Sequence, residues 1–216
     1  MLSYLHKNRL EAGVDEAGRG SLIGDVYASA VVWDHDNALE NNSIYANWIN
    51  DSKKLSKRKR LILKDFIEEN AIDFSVSSID NKEIDKINIL NASLKAMKNA
   101  LDKLTVMPEY ILIDGEYFHE YYSPIDDSLI PHKCIIDGDA TYSSIAVASI
   151  LAKVYHDEHI QKLCDDNEEL RLDEKYGLLS NMGYGTKRHL DGIKSHAVSH
   201  FHRMSYKPCK SGYFHQ

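Results

Sequence analysis

With 216 residues, 43% of them hydrophobic and 27% charged, the chain can bury one substantial core with a small appendage, but two large domains would be cramped. No apolar run approaches the roughly 20 residues that cross a bilayer, and the first ten residues lack the apolar stretch of a secretory leader, so a cytoplasmic location with no membrane partner is expected; a monomer is expected as well. Cys134, Cys164 and Cys209 are odd in number and far apart, which argues against a disulfide framework or a compact metal knot.

In chain order, residues 12–15 and 26–33 read as two strands joined by the glycine-rich segment 18–24, a hairpin with an open loop. Ser56 then caps a helix with Ile62, Leu63, Phe66 and Ile67 on one face, and residues 74–78 alternate like a strand. Ile84, Ile87, Leu90, Leu94, Met97, Leu101 and Leu104 recur every three or four positions, which predicts one long amphipathic helix over residues 83–104, ended by Pro108. Residues 110–113 and 133–136 are short apolar strands, 145–155 an alanine-containing apolar helix and 186–195 a later helix. Strands alternating with helices imply an α/β fold, a mixed sheet with helices on its faces.

The formal net charge of -7 is unusual for a protein that grips phosphates, yet the distribution is uneven. Six basic residues lie in 53–60, and residues 183–216 carry Lys187, Arg188, Lys194, Arg203, Lys207 and Lys210 against Asp191 alone. Residues 57–60 read equally well as a solvated first helical turn.

The acids carry the chemical signal. Asp15 and Glu16 end the first strand, Asp114 ends Tyr-Ile-Leu-Ile, and Asp139 follows Cys-Ile-Ile-Asp-Gly, so three strand ends each deliver a carboxylate. Converging carboxylates repel one another unless cations join them, and oxygen ligands suit Mg²⁺ or Mn²⁺. An Asp-Gly after a strand also serves simply as a turn. Neighbouring side chains on a regular strand point to opposite faces, so Asp15 and Glu16 share a site only if the strand breaks or bulges there.

Residues 13–20, Gly-Val-Asp-Glu-Ala-Gly-Arg-Gly, resemble the signature of the ribonuclease HII family, the type 2 ribonucleases H. Asp51-Ser52-Lys53-Lys54-Leu55-Ser56, Ile113-Asp114-Gly115, Gly138-Asp139, the stretch Ala-Val-Ala-Ser-Ile-Leu-Ala-Lys at 146–153, Gly183-Tyr184-Gly185-Thr186 and His202-Arg203-Met204-Ser205-Tyr206 follow in the family's order, spanning residues 11–208. The resemblance implies a ribonuclease H-like mixed central sheet, with a catalytic domain over residues 1–175 and a small helical, substrate-contacting segment over 176–216 packed on it. It implies that Asp15, Glu16, Asp114 and Asp139 are the metal-binding catalytic carboxylates of a two-metal site for Mg²⁺ or Mn²⁺. The activity it implies is hydrolysis of RNA in RNA/DNA hybrids and at ribonucleotides in duplex DNA, 5′ of the ribonucleotide, leaving a 3′-hydroxyl and a 5′-phosphate.

Further roles follow from the same resemblance: Gly18, Arg19 and Gly20 would approach the ribose 2′-hydroxyl, Tyr184 would pack on the sugar, and Lys53, Lys54, Lys153, Arg203 and Ser205 would contact phosphate. Four features depart from the family, one of them Val147, a small enlargement of a usual alanine. Ser21 stands where proline is usual, Asp25 adds a charge near the loop, and Asn181-Met182 replace His-Lys, which puts loop rigidity and one phosphate contact in question. His196, His200, His202 and Cys209 fit no compact zinc pattern and are expected to be solvated or structural, and Asp157 is assigned no catalytic role. Two other readings use the same residues: a two-metal nuclease of DNA, and a noncatalytic nucleic-acid-binding protein. Only residues 18–20 and Tyr184 speak for ribose selection over plain DNA cleavage.

Overall fold

The computed structural model describes residues 1–49 and 55–211. Strands β1 (Glu11–Ala17) and β2 (Val26–Val32) are followed by helices α1 (His35–Asn41), α2 (Ser43–Ile49) and α3 (Lys57–Asn70), strand β3 (Asp73–Ile79) and helix α4 (Asn81–Asp102). Then come β4 (Tyr110–Asp114), a short ribbon of β5 (Tyr121–Tyr122) and β6 (Leu129–Ile130), β7 (His132–Ile135), a 3₁₀ turn at Gly138–Ala140 and the long helix α5 (Ser143–Asp165). Helices α6 (Leu172–Tyr176), α7 (Leu178–Asn181), α8 (Lys187–His196) and α9 (Lys207–Ser211) complete the described chain. The main sheet is mixed, in the order β3-β2-β1-β4-β7. Strands β1, β2 and β3 pair antiparallel, whereas β4 runs parallel to both β1 and β7.

The strand period of two sorts the residues of β1 between two layers. Ala12 and Val14 join Ala28 and Ala30 beneath α4, all of them completely buried. Gly13 turns the other way, toward α5, and a Cβ there would stand 2.1 Å from the Ser144 carbonyl carbon. Backbone can therefore lie almost on backbone. On that second face Val31 and Trp33 pack with Leu63, Phe66 and Ile67 of α3 and with Val147, Ile150 and Leu151 of α5.

Helices α1, α2, α6, α7 and α9 escaped the sequence reading. Asp34 caps α1 by accepting from the Asp36 and Asn37 amides, and Asn42 accepts from the Ile44 and Tyr45 amides. The two-residue strands of the β5–β6 ribbon were too short for any alternation to register. The helix expected as one rod over 83–104 is broken at Asn88, whose φ of 67° and ψ of 165° are not helical. Asn88 Oδ1 accepts from the Asn91 amide at 3.1 Å and so caps the second half, leaving Leu90, assigned to the apolar face, 49% exposed. The halves do different work: Leu94, Met97 and Leu101 cover the sheet, while Asp85 in the first half accepts from the Met204 and Ser205 amides.

The segment beyond residue 170 forms its own core. Leu172, Tyr176, Leu178 and Ile193 pack on Leu22, Ile23 and the far end of α5 at Ile160 and Leu163. Among the described residues no helix is long and apolar enough to cross a membrane.

The Gly13 contact yields a direct expectation. Gly13→Ala forces a methyl against backbone that cannot swing aside, so it destabilises by about 3 kcal/mol, measured as a lower urea midpoint. An unchanged midpoint would mean that α5 is free to move off β1.

Candidate functional site

The site lies where β1 and β4 part. Pairing of β1 with β4 ends at Val14–Ile113, whereas pairing with β2 runs uninterrupted through Ala17. No bulge is therefore needed to bring Asp15 and Glu16 together, contrary to the sequence expectation. Past Val14 the β4 side of the strand is open, and the charges of Glu16 and Asp114 both act on Asp15. Asp15 has the parity of Gly13, faces α5 and takes a hydrogen bond from the Ser149 hydroxyl. Its Oδ1 also accepts from the Glu16 amide at 2.7 Å.

Asp114 ends β4, and its Oδ1 accepts from the Gly138 amide at 2.7 Å. Asp139 sits on the 3₁₀ turn beyond β7, not at a strand end as expected. Gly138 allows this close approach, since a Cβ there would meet Ile145 Cδ1 at 2.5 Å and Asp114 Oδ1 at 3.1 Å.

Crowding sets the electrostatics. Burial, then Glu16, then Asp114 push the Asp15 carboxyl well above the usual carboxylate range. Burial also raises Glu16, opposed by the Arg19 guanidinium, which donates to Glu16 Oε1 at 2.9 Å. Glu16 Oε2 is buried with no hydrogen-bond partner. Among the described residues no three acidic, histidine or cysteine side chains are gathered tightly enough to grip an ion as they stand. Arg19 on Glu16 and the Gly138 amide on Asp114 hold two of the carboxylates in their own bonds.

The loop after β1 forms one wall of a cleft of about 350 Å³, lined by Glu16, residues 17–20, Arg60, Asp139, Ser149, Ile150, Lys153 and Tyr184. Gly18 has a φ of +87°, and a Cβ there would collide with the His156 imidazole at 2.3 Å. Ser21, where proline is usual in the family, closes the loop itself. It is fully buried, its amide donates to Gly18 O at 3.1 Å and its hydroxyl to Ile23 O at 2.7 Å. Asp25 accepts from the Ser78 hydroxyl at 2.9 Å. Both departures are thus bonded into the fold.

Arg203 corrects the sequence reading most sharply. Expected on a phosphate, it is 0% exposed. Its guanidinium donates to the carbonyls of Gly18 (2.7 Å), Arg19 (3.2 Å), Gly24 (2.9 Å) and Asp25 (2.9 Å), and to the Tyr206 hydroxyl (3.0 Å). Each of the three guanidinium nitrogens thus donates to a loop carbonyl. Ser205 is absent from the cleft lining, with its amide on Asp85.

Lys153 and Tyr184 do reach the cleft, the ammonium 5.0 Å from the ring centre. Lys153 Nζ donates to Asp157 Oδ1 at 2.7 Å. Burial raises the Asp157 carboxyl, but hydrogen bonds from His156 and Lys153 outweigh it and hold the group below its usual value. Lys53 and Lys54 lie outside the described residues. Arg60 and Ser149 were missed: Arg60 looked like one more cation in a solvated turn, and only the α5 register points Ser149 at Asp15.

Comparison with known proteins decides the lineage. The family model for ribonuclease HII matches residues 12–209. The chain belongs to the ribonuclease HII family. It is 43% identical over 206 residues to ribonuclease HII of Bacteroides thetaiotaomicron, covering 95% of this chain and 94% of the relative. Ribonuclease H2 of Pyrococcus horikoshii superposes with a TM-score of 0.73 at 25% identity, over 94% of this chain and 96% of that one. Bst-RNase HIII, solved in complex with Mn²⁺, shares the fold at a TM-score of 0.65 and 20% identity, over 94% of this chain and 68% of that one. The sheet is therefore the ribonuclease H-like one, and the chain is an RNA-cleaving nuclease, a hydrolase.

The repulsion around Asp15 predicts a conflict between stability and chemistry. The folded protein holds the Asp15 proton more tightly than the unfolded chain does, so the wild type loses stability as pH rises from the ordinary carboxylate range up through the raised value of the folded state. Asp15→Asn removes that charge and should stabilise the fold by about 1 kcal/mol at neutral pH, read as a higher melting temperature in chelator. The gain should shrink toward pH 4. A lower midpoint for Asp15→Asn at neutral pH would contradict the crowding.

Proposed function

We propose that the protein is a divalent-metal-dependent endoribonuclease that cuts the RNA of RNA/DNA hybrids and the 5′ side of ribonucleotides embedded in duplex DNA, leaving a 3′-hydroxyl and a 5′-phosphate. The observation that carries this reading is the juxtaposition in one cleft of Glu16 and Asp139 with the backbone of residues 18–20 and the ring of Tyr184. A cleaving centre and a sugar-sized recognition wall face the same space.

The donor set fits a hard cation: the ligands on offer are oxygens, Glu16 Oε2 is buried without a partner, and Asp15 is disfavoured as an anion until positive charge arrives. Asp15, Glu16, Asp114 and Asp139 would hold Mg²⁺ or Mn²⁺ in a two-metal site. The Mn²⁺ bound to Bst-RNase HIII is in keeping with that choice. Such ions, when bound, activate the attacking water and neutralise charge on the scissile phosphate.

This chain's own residues supply the rest. The glycines at 18 and 20 leave the loop backbone uncovered, so its amide and carbonyl groups can meet a 2′-hydroxyl that DNA lacks. Tyr184 offers a ring to the sugar and a hydroxyl to bond it. Lys153 and Arg60 give phosphate a positive lining despite the chain's net charge of -7.

The test is a labelled DNA duplex containing one ribonucleotide, incubated with Mg²⁺ or Mn²⁺ beside an all-DNA control. Cutting 5′ of the ribonucleotide is expected, abolished by chelator and reduced on the order of 10²-fold or more in Asp15→Asn. Cutting of the all-DNA duplex would replace ribose selection with general nuclease action. Binding without cleavage under either metal would refute the enzyme reading for these conditions.

A further inference from the structure

Two buried histidines lie directly behind the recognition wall, and the proposed chemistry uses neither. His189, on α8, and His202 are both 0% exposed, with their Nε2 atoms 3.1 Å apart. Only one proton fits between those nitrogens, and their other bonds decide where it sits. The Ser199 amide donates to His202 Nδ1 at 3.0 Å, which makes that nitrogen the acceptor and puts the His202 proton on Nε2. His202 Nε2–H must then donate to His189 Nε2. This leaves the His189 proton on Nδ1, 3.1 Å from the carbonyl oxygen of Tyr184. The result is a one-way chain of donors from Ser199 through both rings to the backbone of Tyr184.

The chain links the two halves of the recognition wall. At one end, Tyr184 is further tied by its amide to Asn181 O at 3.0 Å, and Gly183 O accepts from the Leu22 amide at 2.8 Å. At the other end, His202 bridges to Ile23 and directly precedes Arg203, whose guanidinium holds the carbonyls of residues 18, 19, 24 and 25. The Tyr176 ring packs against both imidazoles, 5.7 Å from His189 and 4.8 Å from His202. Burial keeps both rings neutral by lowering their basicity, that of His202 to about 3.

We infer that His189 and His202 are positioning residues for ribonucleotide recognition: their directed hydrogen-bond chain fixes the backbone of Tyr184 relative to the loop at residues 18–20. Neither ring touches substrate. The inference rests on the function proposed above, and it makes the spacing between sugar ring contact and 2′-hydroxyl contact a property of the imidazole pair.

Two near-isosteric substitutions separate this role from mere core filling. His189→Asn carries an amide N–H at the δ position, facing the Tyr184 carbonyl. His189→Gln carries its amide one bond farther out, facing His202, and leaves that carbonyl unmet by the side chain. Both are assayed below their melting temperatures on the single-ribonucleotide duplex, in wild-type and Tyr184→Ala backgrounds. The Asn variant keeps the donor to Tyr184 but leaves His202 Nε2–H without its acceptor, so it should lose only a few-fold in kcat/KM, whereas the Gln variant should lose roughly 10- to 100-fold, the scale of a displaced binding group. In the Tyr184→Ala background the same Gln change should cost less than about twofold, because the residue acts through Tyr184. Equal losses in the two variants, or an undiminished Gln effect without Tyr184, would overturn the inference while leaving the enzyme's function intact. A wild-type protein that fails to prefer the ribonucleotide would instead remove the function on which the inference rests.

Discussion

Helix α5 can lie on strand β1 only because residue 13 has no side chain, and the geometry of the cleft descends from that contact. With its first turn seated on Gly13, α5 runs along the strand so that Ser149 meets Asp15, Lys153 faces Tyr184, and His156 closes on Gly18. Each step is about one or two turns farther along one rigid rod. A small displacement at Ser144 would carry through to all of these pairs together, so a backbone contact remote from the carboxylates sets the register of the whole site.

The second organising element is a charge used as a scaffold. A buried guanidinium usually needs a carboxylate partner, because the cost of removing it from water is high. Arg203 has a ring of backbone carbonyls instead, drawn from both ends of the loop at residues 18–25. Those carbonyls are turned inward onto the guanidinium, and the loop acquires a fixed shape without bulky side chains of its own. This explains how glycines that must stay bare for close approach can also be rigid. It also gives the proline-to-serine departure at position 21 a physical account: the Ser21 amide, which proline lacks, closes the turn onto Gly18 O.

Much of this architecture was readable from the sequence because local rules and tertiary packing agree there. The strand read at residues 12–15, the alternation at 74–78, the cap at Ser56 and the helix read at 186–195 each placed an element within a residue or two. That Asp15, Glu16 and Asp114 are neighbours was readable because the ends of β1 and β4 carry them to a common edge, where their charges act on one another. The failures have a different origin. Apolar spacing continues through Asn88, so nothing in the periodicity reveals that its side chain starts a new helix. Arg203 sits in a basic stretch and looks like a phosphate contact; its burial depends on carbonyls some 180 residues away, which no local pattern encodes. Arg60 was hidden in the same manner, as one cation among neighbours that differ only in which way the helix turns them.

The anchoring of residues 18–25 by Arg203 joins the beginning of the chain to its far end, and this has a consequence in time. A chain emerging from the ribosome completes the sheet, and with it all four acids, well before residue 203 has been made. Until then the loop carbonyls lack their guanidinium and the Tyr184 segment lacks the partner that seats it. The four acids are therefore synthesised first and the guanidinium that shapes the cleft wall last, so the form of the loop is the final feature that the protein acquires during its own synthesis.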